Sequence, residues 1–127
     1  MIERLDHLVL TVRDIKVTVD FYQTNLGMQA RKFTSGGVDR WALHYASGKI
    51  NLHQAGAEFE PKSNVPTPGS ADLCFITAKP VADVQSALRD AGIEIIEGPV
   101  RRTGARGSLF SIYLRDPDGN LIELANE

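Results

Sequence analysis

The chain repeats itself. Asp72 stands 65 positions after His7, and Gly92 stands 65 positions after Gly27, with a short apolar run and then a helical stripe between His7 and Gly27 and again between Asp72 and Gly92. Such a duplication restricts the fold, because each half must form one supersecondary unit. In the first half, residues 5–12 are short and rich in aliphatic and β-branched side chains, which predicts a buried strand containing His7. Asp14 is placed to cap a helix. Behind it Ile15, Val19, Tyr22 and Leu26 recur at helical spacing, and Gly27 stands where a left-handed residue ends the helix. Residues 29–33, 41–45 and 50–54 then read as three strands separated by glycine turns. The second half restarts with a strand at 72–77. Pro80 sits at a first helical position, Val81, Val84, Leu88 and Ala91 form the stripe, and strands follow at 93–97, 109–115 and 120–124. The order is βαβββ twice. Repeat one covers about residues 4–55 and repeat two about 71–126. The proline-interrupted stretch between them, about 56–70, reads as a linker within one domain.

Composition adds exclusions. With 127 residues and 43% hydrophobic content the chain supports a folded core. A net charge of −2 gives no electrostatic argument for a nucleic-acid partner or an anionic membrane. No apolar run approaches the roughly 20 residues of a membrane span. One cysteine, Cys74, and an N-terminus without an apolar signal region suggest a cytoplasmic protein.

The chemistry gathers at the last hairpin. Asp116-Pro117-Asp118-Gly119 has the residue order of a type I turn. Alternation beyond it puts Leu121 and Glu123 on one face of a strand, Ile122 and Leu124 on the other. A carboxylate among apolar neighbours must be exposed, protonated, hydrogen-bonded or bound to a cation. If the second half carries five extra residues, for which residues 101–107 offer room, Glu123 matches His53. The first and last strands of the two halves then present His7, His53, Asp72 and Glu123. All four are ligand types for a divalent ion such as zinc, manganese, nickel or iron. Taken singly, His7 has a structural reading as a hydrogen-bonded histidine; four ligand types at matched positions favour a site. Cys74 reads as a small apolar filler on a buried strand. His44 reads as structural or substrate-facing. Phe33, Trp41 and Tyr113 suit a core or an apolar pocket, and Arg40, Arg102, Arg106 and Arg115 suit solvent or an anionic substrate.

The doubled unit, the opening Asp6-His7-Leu8-Val9-Leu10-Thr11-Val12, the helix residues Phe21-Tyr22 and Leu26-Gly27-Met28, and the closing residues 115–124 resemble the vicinal oxygen chelate superfamily. That is the group of glyoxalase I, bleomycin and fosfomycin resistance proteins and extradiol dioxygenases. Residues 49–53 and 69–73 are similar to small glyoxalase-domain-containing proteins. The resemblance implies an α+β fold of two βαβββ repeats forming curved open mixed sheets. It implies a divalent metal (zinc, nickel, manganese or iron(II)) held by His7, His53, Glu123 and Asp72, with Glu123 or Asp72 as the catalytic base. Asp72 stands where the family usually has histidine, which also suits a role orienting a ligand. The implied function is a glyoxalase-like lyase or isomerase acting on a small oxygenated substrate, in a homodimer. The alternatives are an iron(II) ring-cleaving dioxygenase and a non-catalytic drug- or metabolite-binding protein.

Overall fold

The computed structural model describes residues 1–127. It runs β1 (His7–Val12), α1 (Ile15–Leu26), β2 (Gln29–Ser35), β3 (Val38–Tyr45), β4 (Gly48–Gln54), β5 (Asp72–Ile76), α2 (Val81–Asp90), β6 (Glu97–Thr103), β7 (Ser108–Arg115) and β8 (Leu121–Asn126). The chain divides into two compact units, Met1–Gly69 and Ser70–Glu127. Each is one helix on an open, four-stranded mixed sheet. The strand order is β1-β4-β3-β2 in the first and β5-β8-β7-β6 in the second. First and last strands pair in parallel, as β1 with β4 and β5 with β8, because the intervening helix and two strands form the long crossover that parallel pairing needs.

In the first unit Leu10, Val12, Leu43, Ile50 and Leu52 share one face of the sheet and are buried there with Tyr22 and Thr18 of α1. Burying each such aliphatic side chain is worth about 1.5–3 kcal/mol. Asp14 caps α1 as its sequence position predicts, its Oδ1 accepting from the N–H of Lys16 at 2.9 Å and of Val17 at 3.4 Å. Gly27 ends the helix in the left-handed region, at φ 68°. In the second unit Ile112, Leu114, Ile122 and Leu124 are buried with Val81 and Leu88 of α2. Pro80 falls one residue before its expected place, at the N-cap, with Val81 as the first helical residue.

Residues 93–97 do not form the expected strand. The N–H of Ile93 turns back to the Leu88 carbonyl at 2.9 Å and closes the end of α2, so the chain first meets the sheet where Ile96 N–H donates to Tyr113 O at 2.9 Å. The strand is β6 instead, and it passes through Gly98-Pro99. As the outer strand it has a free side where the missing proline N–H costs no ladder bond, and its register is irregular between Glu97 and Val100. Gly98 has φ 104°, and a Cβ there would collide with the Ser111 carbonyl oxygen, so only glycine fits.

The final turn forms as its sequence predicts. Gly119 N–H donates to the Asp116 carbonyl at 3.0 Å. The Asp116 carboxylate, 5% exposed, accepts from the N–H of Asp118 at 2.9 Å, the N–H of Asn120 at 3.0 Å and Asn120 Nδ2 at 2.8 Å. This turn fixes the β7–β8 register, Arg115 opposite Leu121 and Tyr113 opposite Glu123.

Candidate functional site

Two amide side chains fix where the last strand of each unit lies. Gln54 Oε1 accepts from the N–H of Ile15 at 3.3 Å, at the start of α1, while its Nε2 donates to Arg13 O at 2.5 Å. Asn126 Oδ1 accepts from the N–H of Val81 at 2.8 Å, at the start of α2, while its Nδ2 donates to the carbonyls of Thr77 and Lys79 at 2.9 and 2.8 Å. The two do the same work, 72 positions apart. The sheet registers agree: His7 lies opposite Lys49 and Asp72 opposite Leu121, so Glu123, two beyond Leu121, corresponds to Asn51, two beyond Lys49. The expected match of Glu123 with His53 is therefore corrected. The second repeat carries seven extra residues between its first and last strands, not five. Alternation could not have shown this, because Asn51 and His53 are two apart and point to the same face.

In the first unit His7 and Asn51 sit two residues out of register on neighbouring strands, on the face away from α1. His53 lies opposite Thr11, four residues further along than His7, which at ~3.3 Å per residue is about 13 Å along the strands. His7 is exposed, and its Nδ1 lies 2.7 Å from an Asp6 carboxylate oxygen. His53 is 7% exposed and packs edge-on against Phe59 at 5.5 Å. Burial, reinforced by the Arg40 charge and opposed by Glu58, holds its imidazole below the usual histidine range. The structure thus places His7 and His53 on one face but apart.

In the second unit Asp72 and Glu123 are again two residues out of register on neighbouring strands. Glu123 is flanked by Cys74 on β5 and Tyr113 on β7, each directly opposite it. Glu123 Oε1 is buried and has no hydrogen-bond partner. Burial and the Glu123 carboxylate push the Cys74 thiol up to about 11. Burial also raises Tyr113, whose hydroxyl accepts from Arg102 Nε at 3.1 Å, and Arg102 holds Glu97 at 2.9 Å. Cys74 is exposed, not the buried filler its sequence suggested, because this face of β5 borders a cavity of about 550 Å³. Cys74, Ile76 and Glu123 line it together with the 103–109 hairpin, and Arg106 donates to both Glu127 carboxylate oxygens at 2.8 Å beside it.

No group of three or more His, Cys, Asp or Glu side chains suited to a cation is gathered in either unit. The donors come as pairs instead. Asn51 Oδ1 and Glu123 Oε1 are both buried and unpartnered, at corresponding positions of the two repeats. Each orphaned oxygen lies beside a first-strand ligand type of its own unit, Asn51 by His7 and Glu123 by Asp72, a donor pair of a chemistry suited to a divalent ion. Asn51 was missed in the sequence because an amide is a weak ligand signal; the shared capping role of Gln54 and Asn126 was the clue that could have found it.

Known proteins share this doubled βαβββ fold. The profile of the Glyoxalase/Bleomycin resistance protein/Dioxygenase superfamily matches residues 4–124, and the chain belongs to that superfamily. It is 58% identical over 125 residues to Virulence protein STM3117 of Salmonella typhimurium, covering 98% of this chain and 85% of that protein. The crystal structure of STM3117 superposes with a TM-score of 0.94, covering 99% of this chain and 98% of that one. Glyoxalase domain-containing protein RDO1 of Mycosarcoma maydis is 55% identical, over 98% of this chain and 69% of that protein. An integron cassette protein from the mobile metagenome of V. cholerae, 54% identical, has a TM-score of 0.94 over 99% of this chain and 96% of that one. No helix is long and apolar enough to cross a membrane.

Proposed function

We propose that the chain is a metal-dependent glyoxalase-like lyase or isomerase that acts on a small oxygenated substrate as a homodimer. The observation that carries this reading is the buried, unpartnered Glu123 oxygen beside an open cavity, in a chain of the glyoxalase superfamily. Of the candidate ligands His7, His53, Glu123 and Asp72, register pairs His7 with Asn51 and Asp72 with Glu123, and His53, about 13 Å along the strands from His7, stands outside these pairs. Since each unit supplies one pair of donors, a second copy completing each pair gives the ion its coordination. A divalent ion such as zinc, nickel, manganese or iron(II), when bound, supplies Lewis-acid stabilisation of charge on neighbouring substrate oxygens. The residues do the rest. Glu123 or Asp72 takes and returns the substrate proton, Tyr113 and Arg102 orient polar groups from the adjoining strands, and Cys74 stays a neutral thiol on the cavity wall.

The separation of donors into pairs also favours a second reading, a binding protein that sequesters a small molecule in the cavity without chemistry. Elemental analysis of protein purified without added metal separates the two. One ion per half-site pair, lost on changing His7, His53 and Glu123 together to Ala, supports the enzyme; undiminished metal in that triple variant overturns the site. Iron with oxygen-dependent catechol cleavage would move the chain to the dioxygenases. Metal-loaded Asp72→Asn should lose turnover of a hemithioacetal far more than metal affinity. Light scattering that shows only a 13.9 kDa species removes the dimer.

A further inference from the structure

The face of the first sheet that carries His7 and Asn51 is strongly basic. Lys49 and His44 lie opposite each other across β3 and β4; one step along, Asn51, Ala42 and Arg31 align across three strands; one step further, Arg40 lies opposite Phe33. Alternation puts all of these on one face. Ala42, the small residue at the centre, is fully buried beneath the longer side chains around it. The Lys49 ammonium reaches across to the Phe33 ring, 4.8 Å from its centroid, and the Arg40 guanidinium lies 3.9 Å from the Phe59 ring centroid. Arg40 Nε is buried with no hydrogen-bond partner.

None of these three cations has an ion-pair partner. The nearby acids are otherwise engaged: Asp6 with His7 and Arg4, and Glu58 with the backbone N–H groups of Gly56 and its own residue. Aromatic rings hold two of the cations in place without neutralising them. An orphaned guanidinium N–H beside two further uncompensated cations calls for an acceptor that carries negative charge.

We propose that this face, around Ala42, binds the anionic group of a small ligand, a carboxylate or a phosphonate, through Arg31, Arg40 and Lys49. The proposal rests on the proposed function only in taking that ligand to be the substrate, so the substrate class is a small organic acid and not a neutral carbonyl compound. Arg31, exposed, and Lys49, half-buried, steer the anion; Arg40, held against Phe59, supplies the directed donor.

The test is an NMR titration of the full chain, treated with chelator, at low ionic strength. The probes are pyruvate, methylphosphonate and, as the uncharged analogue of pyruvate, hydroxyacetone. The expected result is saturable movement of the Ala42 and Asn51 amide signals with at least one anion and none with hydroxyacetone; the tighter anion identifies the group. Arg40→Gln should weaken binding about tenfold, as for a lost charge-assisted hydrogen bond. Arg31 is exposed, so Arg31→Gln gives the same test without disturbing packing, and Arg89→Gln on α2 should change nothing. Equal response to pyruvate and hydroxyacetone, no saturable response to either anion, or full affinity in both Arg31→Gln and Arg40→Gln would overturn the proposal. Metal content measured on the same wild-type protein keeps the two readings apart. Anion binding without metal uptake fails the metal-dependent function alone, and metal uptake without anion discrimination fails this inference alone.

Discussion

Replacing Asp116 with Ala should destabilise the chain by about 3–5 kcal/mol. The carboxylate is buried and accepts three hydrogen bonds, from two backbone N–H groups and the Asn120 side chain, at 2.8 to 3.0 Å. Asn120 is 1% exposed and Asp118 7%, so water reaches the freed donors poorly. A buried donor left unmade costs about 1–3 kcal/mol, with charged acceptors at the upper end. Three such donors, less some relaxation of the turn, give the range above, a large part of the roughly 5–15 kcal/mol that holds a domain folded. Asp116→Asn keeps an oxygen for the backbone donors but sets an N–H₂ against Asn120 Nδ2. Asn120 cannot simply flip, because its Oδ1 already accepts from the N–H of Ala71 at 2.9 Å. That variant should lose about half as much. Urea unfolding followed by circular dichroism measures both, and with a slope of about 1–3 kcal/mol/M the alanine midpoint should fall by 1 M or more. An alanine variant within about 1 kcal/mol of the parent would show that the turn does not hold the β7–β8 register that sets Tyr113 against Glu123.

Two further outcomes concern protons. With its thiol pushed up to about 11 from 9.0, chelator-treated Cys74 should react with iodoacetamide near pH 8 about tenfold more slowly than an ordinary thiol, because the smaller thiolate fraction outweighs the thiolate's greater nucleophilicity, and Glu123→Gln should recover part of that rate; an ordinary rate in the parent chain refutes the assignment. Burial, then Arg31 and Lys49, holds His44 below 6.5, so the folded chain binds its proton less readily than the unfolded chain. Its stabilising contribution is present above the unfolded value and is lost as pH falls through the folded one. NMR titration of the ring should find the depressed value and its rise in Arg31→Gln, and a midpoint at or above 6.5 would contradict the electrostatics of that face.

Periodicity and turn chemistry in the sequence determined the doubled βαβββ order, both helices, the Asp14 and Gly27 caps and the Asp116 turn, because each depends on residues within a few positions of one another. The duplication also located the two first-strand positions, His7 and Asp72, since in each half only the rest of a strand and one helix separate that position from the following glycine, Gly27 or Gly92, and both pairs keep the 65-residue offset. Tertiary structure alone decided what happens at the last strands. A strand slipped by two residues keeps every side chain on the same face, so alternation accepts either Asn51 or His53 opposite the place of Glu123; the pairing of β1 with β4 and the Gln54 cap select Asn51. The path of β6 through Gly98-Pro99 was likewise hidden, because those residues read as a break until β7 supplies the neighbouring strand. The exposure of Cys74 and the isolation of Arg40 Nε depend on which side chains other strands bring beside them, and no local pattern along the chain encodes that.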